Sequence, residues 1–263
     1  MKVLAVETAT SRQSVALLDS TTVLAQEERE AGGAHGTLLL PAIGRLLATA
    51  GLALTQLDGL ICSIGPGSFT GLRVGTATLL GLRAATDVPL VLVPTLEGMA
   101  WSFRGTAGPI CPVLPSRKGE IYWAVFCWGA GGHLERLVPE QAGSPEALAR
   151  TLTGATTIFG EGWTAMESAV RAALPPGATV SPVPGEALRP SAVTVGLAGI
   201  ERLRRGDVAG DQVAPLYVQR PEAEIRYEQS GGVSPVARRQ ARVAVKTAAR
   251  AARGTRATGK GQE

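Results

Sequence analysis

The hydrophobic period changes within the first 93 residues, and that change limits what the chain can fold into. Lys2 to Glu7 is an apolar run closed by the polar turn Thr8-Ala9-Thr10-Ser11. Ser14-Val15-Ala16-Leu17-Leu18 and Thr22-Val23-Leu24-Ala25 follow, with Asp19-Ser20 between them. Short apolar runs separated by turn residues read as strands, and three in succession as an antiparallel meander. After the break at Gly32-Gly33, Leu38, Leu39, Ala42, Ile43, Leu46, Leu47 and Ala50 recur at three- and four-residue spacing until Gly51. This is the pattern of an amphipathic helix with a glycine stop. Pro41 is tolerated in the first turn or so and bends the helix if it lies deeper. Leu57 to Ile64 returns to strand, Gly65-Pro66-Gly67 is a turn, Ser68 caps a helix reaching about Ala85, and Val88 to Val93 is the next strand.

Three strands, helix, strand, helix, strand is the element order of a ribonuclease-H-like domain, the half-unit of the actin and Hsp70 ATPases. A more degenerate second pass starts at Pro109. It has strands near Ile110 to Leu114, Ile121 to Trp128 and His133 to Val138, helices near Pro145 to Leu152 and Trp163 to Leu174, and a last helix from Arg189 to Arg205. The expected fold class is α/β, two ribonuclease-H-like (actin/Hsp70 ATPase-type) domains with mixed sheets flanked by helices. The expected domains are 1–105 and 106–225, with the boundary at Thr106 to Pro109, followed by a basic, disordered tail at 226–263. A chain of 263 residues, 45% apolar, supplies enough core for this and is incompatible with disorder throughout.

The net charge of +4 conceals a division. From residue 235 onward there are eight Lys/Arg and one acid, a charge of +7, so the body carries −3. Val236 to Arg253 has the composition of a basic Ala-rich helix, but with too little apolar surface to fold unless a partner covers it. Such a segment attracts RNA without sequence preference and in a salt-dependent way. Cys62, Cys111 and Cys127 are odd in number and without C-x-x-C spacing, as expected of buried free thiols in a reducing compartment. No signal-peptide pattern and no run of about 18 apolar residues occurs, so a cytoplasmic protein without a membrane span is expected.

Two segments could carry chemistry. Glu7, Thr8, Thr10 and Ser11 lie where actin-like ATPases put an acid and a phosphate-binding turn, yet the turn has no glycine and no adjacent lysine. It is either a weakened nucleotide loop or a polar hairpin. Gly65, Gly67 and Ser68 open a helix whose N-terminal amides could hold an anion. The spacing is neither G-x-G-x-x-G nor a Walker pattern. Within that helix Gly71 and Gly75 each cost on the order of 1 kcal/mol against alanine. With Thr78 they leave room for another backbone, which is either the domain's own sheet or another chain. Only two histidines exist, His35 and His133, with no ligand spacing around them, so no metal site and no catalytic residue is expected.

Val6-Glu7-Thr8-Ala9-Thr10-Ser11, Ser63-Ile64-Gly65-Pro66-Gly67-Ser68-Phe69-Thr70-Gly71-Leu72-Arg73 and Gly119-Glu120-Ile121-Tyr122 resemble the TsaB (YeaZ) family over residues 1 to about 225. The resemblance implies a non-catalytic dimerisation subunit of the bacterial complex that makes N6-threonylcarbamoyladenosine at adenosine 37 of tRNA. It implies a TsaD-like catalytic paralogue and a TsaE-like ATPase as partners, a homodimer when the chain is alone, and tRNA met indirectly through the complex. No cofactor is expected in this chain, with ATP or ADP assigned to an interface of the complex. The paralogue binds metal partly through a His-x-x-x-His segment, which here reads Thr95-Leu96-Glu97-Gly98-Met99. The family's usual Asp-Ala-Arg is here Pro115-Ser116-Arg117, and the basic tail lies outside the family pattern. The partner surface is expected on Leu38, Leu39, Ile43, Leu46, Leu47, Gly71, Gly75 and Thr78. The competing readings are an autonomous actin-fold carbamoyltransferase, which needs an open phosphate loop in each domain, and a metallopeptidase, which needs paired ligands.

Overall fold

The structure, a computed structural model, describes residues 1–117, 119–183 and 189–219, together with Tyr227. Met1–Val218 form one compact unit and Gln219–Glu263 a second. The expectation of a disordered tail at 226–263 falls, Tyr227 apart, outside the described residues.

The apolar runs pair as their spacing requires. Strands β1 (Lys2–Glu7), β2 (Arg12–Asp19) and β3 (Thr22–Glu30) form the antiparallel meander, with Val6 opposite Val15 and Leu17 opposite Ala25. Helices α1 (His35–Ala50) and α2 (Phe69–Thr86) bracket β4 (Gly59–Ser63), which pairs parallel to β1, and β5 (Leu90–Val93) pairs parallel to β4. The sheet order is β3-β2-β1-β4-β5. Strand β3 runs past Ala25 into Gln26-Glu27-Glu28-Arg29-Glu30, a polar stretch that gives no apolar alternation. As the edge strand it is charged, which discourages pairing with other chains, and Glu27 and Glu28 bind Arg45 and Arg12. Pro41 lies inside α1, beyond the first turn.

Both faces of this sheet are covered. Leu4, Val6, Leu60 and Cys62 pack under α1 and α2, while Val3, Ala5 and Ile61 point to α6 (Ala192–Arg204) on the other side. Two-sided burial explains why β1 and β4 read as continuous apolar runs and not as alternation.

The second sheet repeats the first. Strands β6 (Pro109–Pro115), β7 (Ile121–Trp128) and β8 (Leu134–Gly143) form its meander, followed by α4 (Pro145–Thr151), β9 (Ala155–Phe159), α5 (Trp163–Ala172) and β10 (Thr179–Pro182). Its order, β10-β9-β6-β7-β8, puts β6 in the place of β1, and the parallel and antiparallel pairs correspond one for one. Strands β9 and β10 escape the sequence reading because each is short and half polar.

The helix after each fifth strand crosses to the opposite sheet. Leu96, Met99 and Ala100 of α3 (Thr95–Ala100) pack against Ile110, Leu114, Ala124 and Phe126 of the second sheet. Helix α6, which a division at 105/106 assigns to the second half, covers the first sheet through Ala192, Val195, Ala198 and Ile200. Its approach is close because it carries glycine at the contacts. A Cβ on Gly196 would lie 2.6 Å from Leu18 Cδ1, and one on Gly199 would lie 2.7 and 2.9 Å from Ile61 Cδ1 and Cγ1. Beyond α6 the backbone returns along the edge of β5, where the Ala209 N–H donates to the Leu90 carbonyl at 2.7 Å and that of Leu216 to Ile64 at 2.7 Å. No helix among the described residues is long and apolar enough to cross a membrane. Cys62 and Cys111 are buried free thiols, whereas Cys127 is only half-buried.

Gly199→Val is expected to lower urea stability by about 1–3 kcal/mol, since Ile61 is fully buried and cannot yield. An unchanged urea midpoint would show that α6 does not rest on β4 in solution.

Candidate functional site

Parallel pairing puts Val6 beside Cys62, so β1 and β4 end side by side and the turns that follow them meet. The peptide Gly65-Pro66 is cis. The two turns interlock through backbone. The Ser68 N–H donates to the Ala9 carbonyl at 2.6 Å, and the Thr8 hydroxyl donates to the Gly71 carbonyl at 2.9 Å. Gly67 and Gly71 are required here, because a side chain on the first would run into Ala9 O and on the second into Thr8 O. Ser68 caps α2 as its type suggests, its Oγ accepting from Gly71 N at 3.3 Å.

Several amides of the two turns are taken up by protein acceptors. The Ala9 N–H donates to the Glu7 carboxylate, Arg12 N–H to Thr10 Oγ1 at 3.2 Å, and Gly65 N–H to Thr95 Oγ1 at 3.1 Å. Glu7, Thr8, Gly65, Gly67 and Ser68 are thus brought together, but as a closed pair of turns. Ser11 is turned away, its hydroxyl donating to Glu30 on β3 at 3.1 Å. The residues present do not fit a nucleotide phosphate. Glu7 lies beneath the turns, 1% exposed, and its Oε2 has no hydrogen-bond partner among the described residues. Burial pushes the carboxyl up to about 7, against the lowering pull of the Ser63 hydroxyl and the Ala9 and Thr8 amides.

At the two positions where the resemblance places histidines in a catalytic paralogue, α3 carries Thr95 and Met99. Thr95 is fully buried, its hydroxyl bonded to Ser63 Oγ at 2.8 Å and its N–H to the Gly65 carbonyl at 2.7 Å, so it braces the turn pair. Met99 is sealed in the core of the second sheet. Between them, Glu97 takes a two-pronged grip from Arg202 of α6, at 2.9 and 2.8 Å, and a third bond from Arg136 of β8 at 2.9 Å. This ion cluster, invisible to residue spacing, ties α3, α6 and β8 together. Among the described residues no three His, Cys, Asp or Glu side chains gather as metal ligands.

The second half repeats the turn pair in a form the sequence reading missed. Gly160-Glu161-Gly162 follows β9 as Gly65-Pro66-Gly67 follows β4. A Cβ on Gly160 would strike Val113 O, and one on Gly162 would lie 3.0 Å from Leu114 C, both in β6. The repeated G-x-G after the fourth strand of each half was the available signal.

The expected partner surface needs correction. Leu39, Ile43 and Leu46 are buried in the core of the first sheet, because the apolar stripe of α1 is used to cover that sheet. Gly71 and Gly75 face inward too. A Cβ on Gly75 would lie 2.5 Å from Thr8 Oγ1, so these glycines let the turn approach its own helix and not another chain. Leu38, Leu47 and Thr78 remain half-exposed. The outer face of α1 and α2 is instead built from Leu40, 56% exposed, and from small exposed residues, Gly44, Ala77, Gly81 and Ala84.

Comparison with known proteins bears on this arrangement. Residues 24–162 match the family described as TsaD, tRNA N6-adenosine threonylcarbamoyltransferase. The chain is 35% identical over 174 residues to the tRNA threonylcarbamoyladenosine biosynthesis protein TsaB of Escherichia coli, covering 63% of this chain and 73% of that one. It is 28% identical to the Haemophilus influenzae protein of the same name, over 83% of this chain and 94% of the other. Among solved structures, YeaZ from Pseudomonas aeruginosa is similar, with a TM-score of 0.68 and 26% identity over 82% of this chain and 99% of that one.

Two outcomes test this site. Gly75→Leu is expected to destabilise the fold, by about 1–3 kcal/mol or more, with association lost only in proportion to unfolding; full urea stability in the variant would return the glycine to an outer surface. Glu7 has a folded pKa near 7 against an ordinary 4.5, so its neutral form favours folding. That contribution is full below about 4.5 and is lost as pH rises through 7, on the order of 3 kcal/mol in all. Glu7→Gln should therefore stabilise relative to wild type at pH 8 and not at pH 4.5, measured by urea titration; a difference independent of pH would contradict the buried-acid assignment.

Proposed function

Since the chain belongs to the TsaB (YeaZ) family, paralogous to the TsaD transferases, we propose that it is the non-catalytic partner subunit in tRNA threonylcarbamoyladenosine biosynthesis. Its role in that biosynthesis follows from the family. The finer reading is that it acts by binding a TsaD-like catalytic paralogue, and the observation that carries it is the fate of α3. The positions that bear metal ligands in the paralogue are Thr95 and Met99, one bonded into the turn pair and the other sealed in apolar core. Neither can reach a metal without unfolding its surroundings.

The closed turns argue the same way. An autonomous ATP-binding carbamoyltransferase needs free amides at the ends of β1 and β4, and here those of Ala9, Ser68, Gly71 and Gly65 are committed to Glu7, Ala9, Ser68 and Thr95. A nucleotide therefore belongs to an interface of the complex, supplied with groups from another chain such as a TsaE-like ATPase. The cytoplasm, where tRNA is modified, is the compartment this reading requires.

The partner surface is the outer face of the adjoining helices α1 and α2. Leu40 is exposed on α1 with Leu47 half-exposed a heptad later, and exposed Ala77 and Gly81 on α2 are small enough to allow close helix-to-helix contact. The same face serves a second copy when the chain is alone, because either occupant buries the same patch.

The test is co-purification with a TsaD-like paralogue, beside turnover assays. The isolated chain should neither hydrolyse ATP nor transfer a threonylcarbamoyl group. Gly81→Arg, at a site with no atom within 4 Å of an added Cβ, should leave urea stability within about 0.5 kcal/mol and reduce self-association and paralogue binding at least about tenfold. Undiminished binding would move the interface off this face, and steady turnover by the pure chain would end the non-catalytic reading.

A further inference from the structure

Helix α2 carries one exposed row along its outer side. Arg73, Ala77, Gly81 and Ala84 are all exposed, and at the ~100° per residue of an α-helix they fall within an arc of about 80°. Asp87, the exposed C-cap residue, widens the arc to about 120°. Half-buried Leu80 lies inside it. The row is therefore uncharged in the middle, with a cation near one end and an anion at the other, about 21 Å apart along the axis.

Neither charge is spent inside the chain. The Arg73 guanidinium lies over the Phe69 ring, 3.8 Å from its centroid, and its Nε donates to the Tyr217 hydroxyl at 3.1 Å, while the Tyr217 ring stands 5.1 Å from that of Phe69. Among the described residues no carboxylate pairs with Arg73, and no cation pairs with Asp87. Arg83, the basic residue in the last turn of α2, donates instead to the Gly210 carbonyl at 2.8 Å. A guanidinium held in this way has already given up rotamer freedom, so binding a partner's carboxylate costs less. At the opposite end, the last carbonyls of the helix and its macrodipole add to the negative charge of Asp87.

We propose that α2 pairs antiparallel with α2 of a second copy, about a two-fold axis between Ala77 and Gly81, so that Arg73 of each chain meets Asp87 and the helix C-terminus of the other. This rests on the reading that the outer face of α1 and α2 is the partner surface, and adds to it a register and a charge match. The small residues set the axis, since backbones approach closest where side chains are least. Arg73 then stands level with Ala85 of the second copy, and its guanidinium, laid back over Phe69 toward the helix start, reaches the level of Asp87. A two-fold contact must be self-complementary, and a row with opposite charges at its ends meets that condition at both ends together. Parallel pairing would set Arg73 on Arg73 and Asp87 on Asp87, which like-charge repulsion opposes.

The experiment follows self-association of the full chain by sedimentation over a range of concentrations. Arg73→Asp and Asp87→Arg each set like charges against one another at both contacts, and each should weaken association at least about tenfold at ~0.1 M salt. Their urea midpoints should stay near wild type, because both side chains are exposed. Mixed in equal amounts, the two variants should associate about as well as wild type, since one chain then offers only acids and the other only arginines. The double variant should self-associate likewise. Asp87→Asn, which suits the left-handed backbone at that position, should weaken association several-fold through loss of charge alone. Single variants that associate as wild type does would overturn the proposal, as would a mixture and a double variant that fail to recover, or a wild type that stays monomeric throughout. Gly81→Arg and paralogue binding are measured alongside. Association lost in Gly81→Arg and kept in the charge variants rejects this register and leaves the partner face standing, whereas association kept in all of them rejects the face as well. Weakened paralogue binding with intact self-association would assign Arg73 to the paralogue and overturn the two-fold pairing.

Discussion

The parallel pairing of β1 with β4 is the contact on which the rest of the first half depends. Its register sets the ends of the two strands at the same level, so the turns after them must share one space. They do so by bonding backbone to backbone, which is feasible only where Cβ atoms are absent, at Gly67 and Gly71. Once the turns are closed, Glu7 lies in a dry place, its pKa moves toward neutrality, and the amides that serve phosphate binding in open turns have protein acceptors instead. The same geometry that stabilises the fold commits the amides of Ala9, Gly65, Ser68 and Gly71 to protein acceptors.

A second consequence concerns α3 and α6. Each helix follows the fifth strand of one sheet and covers the other, so the two sheets share parts. The α3 segment works as a joint. Thr95 braces the turns, Met99 fills core, and Glu97 gathers Arg136 and Arg202. A half-buried carboxylate holding two guanidiniums is costly to interrupt, because removing it leaves two partly desolvated cations with only Asp207, beside Arg202, and Glu140, beside Arg136, to pair them. Retention of the acidic residue in a segment without ligands has a structural explanation.

The surfaces left for partners follow from what the cores consume. A helix that must cover a sheet spends its large apolar residues inward, so α1 presents Leu40 outward and keeps Leu39, Ile43 and Leu46. Small residues on the outer face of α2 permit close approach without offering much apolar area.

The sequence by itself determined the element order from β1 to β5, the doubled ribonuclease-H-like plan and the family, because strand and helix periods and the Gly65 to Arg73 motif are local properties of the chain. It also determined the split of charge between body and tail. Only the tertiary structure decided which way each residue faces. The glycines of α2 carry the same local signal whether they meet Thr8 or another chain, and the stripe of α1 reads alike over a sheet or an interface. Strands β9 and β10 have too few apolar residues to announce themselves and are fixed by pairing with neighbours. The exchange of α3 and α6, and the cluster of Glu97 with Arg136 and Arg202, join residues 105 and even 178 positions apart, distances at which sequence spacing carries no information.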